Sequence, residues 1–535
     1  MASTSSWNRQ ATVSTSSVDD SEVSTEREMQ NGAVPSATNA SGSQFSQPEL
    51  DAHIAQLDNG ISTLIGYRSR VKQRRNMLFS SVVGRLPVEV LVMIFEMVCF
   101  WEGDEDSEVE VVGRRDAGRS VGSLRVAKRW RPLVFGWVCK RWRAVAWNAS
   151  GLWTRLSLVL SHRPGEIEKG MGLAMHWVMR SRGRGLKIRL VEPVDEEYEA
   201  CGWGVERTPP GVIAILAAHA NRWETLDTFL PLSWMGVVSS VRFSLDMLTT
   251  LTLRASETSP SGVLSEGERA VFVDAPVLRE VRLVGYGLGD VDLPWGRLER
   301  FVGESLGLWE CVEVLRRCEK LKEGVFEQVD GGALFSPGGP VVGSFVNGNV
   351  EKLECLFDSC TEMTLEVLFG SVELCGLKDV VISLPDDTPV EGVGGATLMG
   401  LGALRKMVQR CEARLRTIHL VGLVPDDSGF TPQFVQVLQD EGMKSVEKLL
   451  VVSTDFEGRL GEGFVRTCGM LDGLREFEYR GLVGFSIDSF LEWVEGRREV
   501  LKSVRLVTPC WVRVEERERV SKLVEGGMEV FIGYE

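Results

Sequence analysis

The chain is poor in the side chains that catalysis and metal binding usually draw on. It holds five histidines, His53, His162, His176, His219 and His419, and none stands in an H-E-x-x-H or Cys/His spacing, which excludes the zinc sites readable from sequence. There is no G-x-S-x-G nucleophile elbow and no G-x-x-x-x-G-K-[ST] phosphate loop. Gly285, Gly287 and Gly289 follow a strand-like run, but no dinucleotide-type helix comes after them, so they read as a turn. The pairs Asp386-Asp387 and Asp426-Asp427 follow prolines and read as turn residues. His219 reads as a helix-face residue and His419 as an outward strand position. With no acid, base and oxyanion donor to group together, the expectation is a non-enzyme without metal or cofactor.

Other absences bound the class. No stretch of about 18 uninterrupted apolar residues occurs, and Met1 is followed by polar Ser/Thr-rich residues, so neither a membrane span nor a leader is expected. Eleven cysteines are dispersed without a C-x-x-C pair, several of them in apolar helical contexts such as Val314–Cys318. They read as reduced core thiols of an intracellular protein, cytoplasmic or nuclear. Positive charge is outweighed, 60 Lys and Arg against 75 Asp and Glu, and the net charge of −15 argues against a general nucleic-acid or acidic-membrane binder. The 535 residues are too many for one compact core, so several domains or an elongated solenoid are expected.

Residues 1–48 are dominated by polar side chains that cannot offset the entropy of ordering them, which predicts disorder. In 49–80, after the capping-box spacing of Ser46 and Glu49, apolar residues fall at Leu50, Ile54, Leu57, Ile61, Leu64, Val71 and Leu78, interrupted by Arg68 and Arg75. This heptad-like helix has two readings: an amphipathic helix lying on the next domain, or a coiled coil giving self-association through 50–78. Residues 102–132 pass from an acidic block to a basic one with interspersed glycines, which predicts a solvated insertion.

Between these lies a helical pattern. Pro87 near a helix start is followed by Val90, Leu91, Ile94, Phe95 and Val98 on one face. A second helix is predicted around Leu133–Trp147, with Val134, Val138, Trp142 and Val145 on one side, before the short element Gly151-Leu152-Trp153. The string Leu86-Pro87-Val88-Glu89-Val90-Leu91, followed by Val138-Cys139-Lys140-Arg141-Trp142-Arg143 and Leu152-Trp153, resembles the F-box of ubiquitin-ligase substrate receptors, of the type found in mushroom-forming fungi. The resemblance covers 86–153 and departs from the family in the 102–132 insertion, which separates two helices normally close in sequence. It implies an F-box over 81–160 that binds the Skp adaptor subunit, and through it a cullin. The partner-binding residues would be Leu86, Pro87, Val90, Leu91, Ile94, Phe95, Val138, Cys139, Trp142, Leu152 and Trp153.

The remainder, 161–535, alternates helix-like and strand-like pieces. An apolar residue recurs at first, fourth and sixth positions, as in Leu248/Leu251/Leu253, Leu278/Val281/Leu283, Leu377/Val380/Ile382, Leu415/Ile418/Leu420, Val446/Leu449/Val451, Leu474/Phe477/Tyr479 and Leu501/Val504/Leu506. Degenerate copies start at Leu298, Leu321 and Leu353, giving a period of about 28 residues. Helices are predicted between copies, at Trp309, Val312, Leu315 and Cys318 and at Leu404, Val408 and Cys411. The fold class expected is α+β and multi-domain: a small α-helical F-box followed by an α/β leucine-rich-repeat-like solenoid. An unknown protein substrate is expected on the strand face, with Arg254, Glu280, Arg282, His419, Glu478 and Arg505 as candidates. Two other readings remain at this point. One is a repeat scaffold without ligase coupling, and the other a nucleic-acid adaptor using the basic cluster at 114–143.

Overall fold

The computed structural model describes residues 47–79, 86–100, 131–160, 164–191, 211–230, 234, 238, 245–255, 269–331, 344–359, 364–384, 393–411, 413–423, 437–453, 459–461, 471–509 and 512–533. The segment 1–46, most of the predicted insertion with its basic residues, His162 and the two Asp pairs lie outside these residues. The chain divides into two units, Met1–Arg85 and Leu86–Glu535.

The first unit contributes one unbroken helix, α1 (Gln47–Phe79), which begins two residues before the predicted start. Gly60 and Gly66 lie within it, and a Cβ at either would meet nothing within 4 Å. The leucines and isoleucines of its heptad positions are exposed, from Leu50 at 48% to Leu57 at 67%.

The second unit opens with α2 (Val88–Phe100), α3 (Arg131–Val138) and α4 (Lys140–Asn148), closed by a 3₁₀ turn over Ser150–Trp153. The single helix expected over Leu133–Trp147 is two helices. Cys139 adopts an extended conformation, φ −160° and ψ 168°, and its Sγ accepts the Trp142 amide at 3.4 Å, which caps α4. Helix α3 also begins inside the span expected to be loop, with Pro132 in its first turn where the missing N–H costs nothing. Gly136 is required by close packing, because a Cβ there would lie 2.2 Å from the Trp147 ring. Phe95 stacks on Phe135 at 4.0 Å and tilts against Trp142 at 4.9 Å, so the three helices share an aromatic centre. Trp153 then joins them to the rest of the unit. Its indole N–H donates to the Ala146 carbonyl at 2.8 Å, and its ring meets Trp147 at 5.6 Å and Trp177 at 4.7 Å.

From residue 155 onward, 14 strands form one sheet whose spatial order is the sequence order and whose neighbours are all parallel. They are β1 (Arg155–Val159), β2 (Leu186–Val191), β3 (Trp223–Leu230), β4 (Thr250–Ala255), β5 (Glu280–Val284), β6 (Arg300–Glu304), β7 (Glu323–Asp330), β8 (Lys352–Ser359), β9 (Asp379–Ser383), β10 (Thr417–Leu423), β11 (Lys448–Ser453), β12 (Glu476–Arg480), β13 (Ser503–Val507) and β14 (Glu529–Gly533). Helices connect many of them, including α5 (Pro164–Arg180), α6 (Gly211–Ala217), α7 (Leu308–Arg317), α8 (Thr364–Ser371), α9 (Val393–Cys411), α10 (Ile487–Gly496) and α11 (Val514–Glu525). Parallel neighbours need such crossovers, since a tight turn cannot return the chain in the same direction.

The recurring apolar positions line one buried face of this sheet. All three positions of each of the seven clear copies are buried, and the strand residues between them point the other way. One expectation needs correction: the copy assigned to Leu353 starts at Val350, because Leu353 pairs in register with Gly324 and Val380 and so occupies the fourth position. A second recurrence is not visible in residue types. The amide at the first position closes a turn onto the carbonyl three residues earlier, as in Leu248 to Leu245, Leu278 to Ala275, Leu321 to Cys318, Leu377 to Leu374, Val446 to Met443 and Leu474 to Leu471.

The residue after each first position forms a ladder running Arg279, Glu299, Lys322, Glu351, Lys378, Arg416, Glu447, Arg475, Lys502, in which each amide donates to the carbonyl of the rung before. Opposite charges alternate along much of it. Ion pairs join Arg279 to Glu299 at 2.8 Å, Lys322 to Glu299 at 2.7 Å, Lys378 to Glu351 at 2.8 Å and Arg475 to Glu447 at 3.8 Å. The lysine hydrogen bond holds the Glu299 carboxyl below its ordinary pKa, and Lys378 does the same for Glu351.

Candidate interaction surfaces

Two surfaces gather the residues singled out from the sequence. On the three-helix segment the candidates separate into interior and exterior. Leu91, Phe95, Leu152 and Trp153 are buried to 1% exposure or less, and they build the core. They are therefore not available to a partner without unfolding. Leu86, Cys139 and Trp142 are half-buried, and the Arg141 guanidinium donates to the Leu86 carbonyl, fixing the approach to α2. Pro87, Val90, Ile94 and Val138 are exposed.

The exposed set is larger than expected. Val88, Val90, Met93, Ile94, Met97 and Val98 on α2 are joined by Val134, Trp137 and Val138 on α3, with Trp137 67% and Met93 61% exposed. Met93, Met97, Val134 and Trp137 are not among the site candidates read from the sequence. A signal for them exists: α2 is apolar nearly all round, which a helix covered on one side does not need. Two faces of one short helix thus serve different ends, Leu91 and Phe95 inward and the methionine-bearing face outward. Beside them the Trp142 indole N–H is buried and meets no acceptor among the described residues.

The second surface is the half-exposed face of the sheet, opposite the buried apolar positions. Strand alternation places Arg254, Glu280, Arg282, His419, Glu478 and Arg505 there, but in three separate groups. Arg254, Glu280 and Arg282 share the adjacent strands β4 and β5, and Glu478 and Arg505 are register partners on β12 and β13. His419 stands alone on β10 between Val381 and Leu450.

Most of the charged candidates are held by neighbours on the same face. Arg254 bonds Asp227 at 2.6 Å, and Arg189 reaches the other Asp227 oxygen at 3.2 Å. Arg282 bridges Glu304 at 3.3 Å and Glu327 at 2.9 Å. Glu478 takes Arg480 at 2.7 Å and Arg505 at 3.8 Å, and the Arg505 guanidinium lies over the Phe531 ring at 5.2 Å. Such partly exposed pairs contribute little stability each, about 0–1 kcal/mol, but they order the side chains.

Around His419 the face is more apolar, with Leu356 on β8, Val381 on β9, Val421 on β10 and Leu450 and Val452 on β11 pointing outward beside Glu354 and Ser383. Alternation along the strands makes this strip legible in the sequence, although the charged residues on either side of it are the more conspicuous candidates. Burial, and then the charge of Lys448, hold the His419 imidazole below its ordinary pKa, against the smaller opposing pull of Glu478 and Glu354. Among the described residues no cluster of three or more metal-ligating side chains occurs, and no helix is long and apolar enough to cross a membrane. Compared with known proteins, the chain matches no family model and no curated protein.

Proposed function

We propose that the chain is the substrate receptor of an SCF-type (Skp, cullin, F-box) ubiquitin ligase, a non-catalytic adaptor in which residues 86–153 are the F-box. The observation that carries this reading is the exposed apolar face of α2 and α3. Nine exposed apolar side chains on two helices packed through Phe95 and Phe135 are more than scattered surface residues, and such surface marks a protein contact. It lies on the segment whose sequence resembles an F-box, so the occupant proposed for it is the Skp adaptor. The ordered parallel sheet supports a leucine-rich-repeat-like solenoid, whose units stack because none can bury its apolar face alone. The half-exposed strand face would then hold the substrate, with the His419 strip as apolar centre and the Arg282 and Glu478 groups on either side. Catalysis by such a receptor is proximity: it raises the effective concentration of a substrate lysine at a charged conjugating enzyme.

Recombinant Skp adaptor in a pull-down and titration against the full chain is the test. Trp137→Ala and Ile94→Ala remove exposed anchors, each expected to weaken binding by about 2 kcal/mol, roughly 30-fold, without altering the melt. Leu91→Ala is the contrasting control, since it lowers stability and binding together. A folded wild-type chain that fails to retain the adaptor at micromolar concentration refutes ligase coupling and leaves the scaffold reading.

A further inference from the structure

The F-box reading makes no use of α1, which belongs to the first unit, Met1–Arg85. We infer that α1 is a dimerisation element: two copies of it pair as a parallel, in-register, two-stranded coiled coil. Its 33 residues run without interruption, about 50 Å at 1.5 Å per residue. Leu50, Leu57, Leu64 and Val71 occupy the d positions of the heptad and Ile54 and Ile61 the a positions. Their exposures of 48, 67, 58, 49, 56 and 54% leave a continuous apolar seam uncovered along the helix. A second copy of α1 fits that seam because the repeat of seven makes it self-complementary, each knob finding a hole made by the same residue types.

The choice of residues sets the number and direction of strands. β-Branched residues at a with leucine at d pack best in parallel pairs, whereas the reverse assignment favours higher assemblies. Arg68 and Arg75 take the next two a positions. At a two-stranded seam an arginine can lay its methylenes along the groove and carry its charge out to water, which the closed core of a trimer or tetramer does not allow. In a parallel pair the two arginine layers stay together at the C-terminal end, and every layer from Leu50 to Leu64 remains apolar. An antiparallel pair would instead set the arginines against the Leu50–Leu57 end of the partner and spoil both ends. The flanking positions agree: the g to e′ pairs of the parallel register are His53 with Asp58, Gly60 with Ile65 and Tyr67 with Lys72, so none opposes like charges.

Paired helices would bring two copies of everything C-terminal to α1 into one particle, so a substrate or adaptor with two sites would be held by avidity. The pairing itself is independent of the F-box reading and stands or falls separately.

The experiment uses the full chain in sedimentation and light scattering at low and middle micromolar concentration. The expected mass is twice the 59.3 kDa of one chain. Leu57→Asp with Ile61→Asp should return it to that of one chain while the melt of the remainder is unchanged. Direction is read from Leu57→Cys under mild oxidation. Peptide mapping should recover a disulfide joining the introduced thiol of one chain to the same position of the other, since only the parallel in-register pair sets identical d positions face to face. A wild-type monomer, a mass of three chains or more, a dimer that survives the double variant, or a dimer without that symmetric disulfide would each overturn the inference.

Discussion

Trp153→Ala tests how the three-helix segment is joined to the sheet. Trp153 is fully buried, its indole N–H bonds the Ala146 carbonyl, and its ring sits between Trp147 and Trp177 with the Arg180 guanidinium 5.1 Å from its centre. Truncation of a buried tryptophan costs about 3–5 kcal/mol through lost transfer energy and the cavity left behind. The orphaned Ala146 carbonyl contributes about 1 kcal/mol of this at the joint. Trp153→Phe keeps most of the ring and loses the hydrogen bond, so about 2 kcal/mol is expected. Among the described residues each strand of the sheet pairs with its neighbours in sequence order, and the loss should therefore be local. Hydrogen exchange followed by mass spectrometry is the assay. Amides of α2, α4 and β1 should exchange roughly 100-fold faster or more in Trp153→Ala, as about 3 kcal/mol implies. Those of β6 to β12 should keep wild-type protection. A uniform loss across the sheet, or none in the helices, refutes the reading of Trp153 as a main joint between them.

Two further outcomes are expected. His419 has its folded-state pKa lowered by burial and by Lys448, so the unfolded chain takes up the proton first. Its contribution to stability is complete above the ordinary histidine pKa of about 6.5 and is lost as pH falls from there through the folded value. His419→Leu should make the urea midpoint less sensitive to pH between about 7 and 5. Some slope should survive, since burial and Arg222 lower His219 in the same way, and an unchanged slope would contradict the assignment. Alkylation with iodoacetamide, read by peptide mapping, should label exposed Cys375 first among the described cysteines. Cys311 and Cys355 should label only on unfolding, because burial pushes their thiols well up, and early labelling of either under native conditions would show that the core opens.

Which parts of this are legible in the sequence depends on how tightly each position is constrained by residue type. In the seven clear copies the first, fourth and sixth positions hold large apolar side chains and can be read directly, whereas Gly324 at a fourth position and Gly303 at a sixth blur the degenerate ones. The exception, Val350 with Leu353 and Cys355, is phased three residues late by the sequence pattern because leucine stands at the fourth position there and valine at the first. The turn before many of the strands is invisible because Leu245, Ala275, Cys318 and Met443 serve one geometry with four side chains, and what they share is a backbone hydrogen bond. The break at Cys139 is hidden for a related reason, since a thiol is an uncommon helix cap and the apolar spacing runs on through it. At the helical surface the sequence locates the segment and cannot orient it. A helix as apolar as α2 gives no stripe by which to tell inward Phe95 from outward Met93 and Met97; the orientation comes from Phe135 and Trp142, which arrive from elsewhere in the chain.

The charged ladder bears on a hazard peculiar to chains built of similar units, which is that a strand can settle beside the wrong neighbour. With buried positions so alike, apolar packing alone discriminates poorly between pairing Lys322 with Glu299 and pairing it with Arg279 one unit away. Sliding this part of the ladder by one rung sets Arg279 beside Lys322 and Glu299 beside Glu351, and so sets like charge against like at each slip. The alternating rungs act as an error check on assembly whose reading is electrostatic. Salt, which barely changes the finished fold, should therefore raise the fraction of chains that refold out of step.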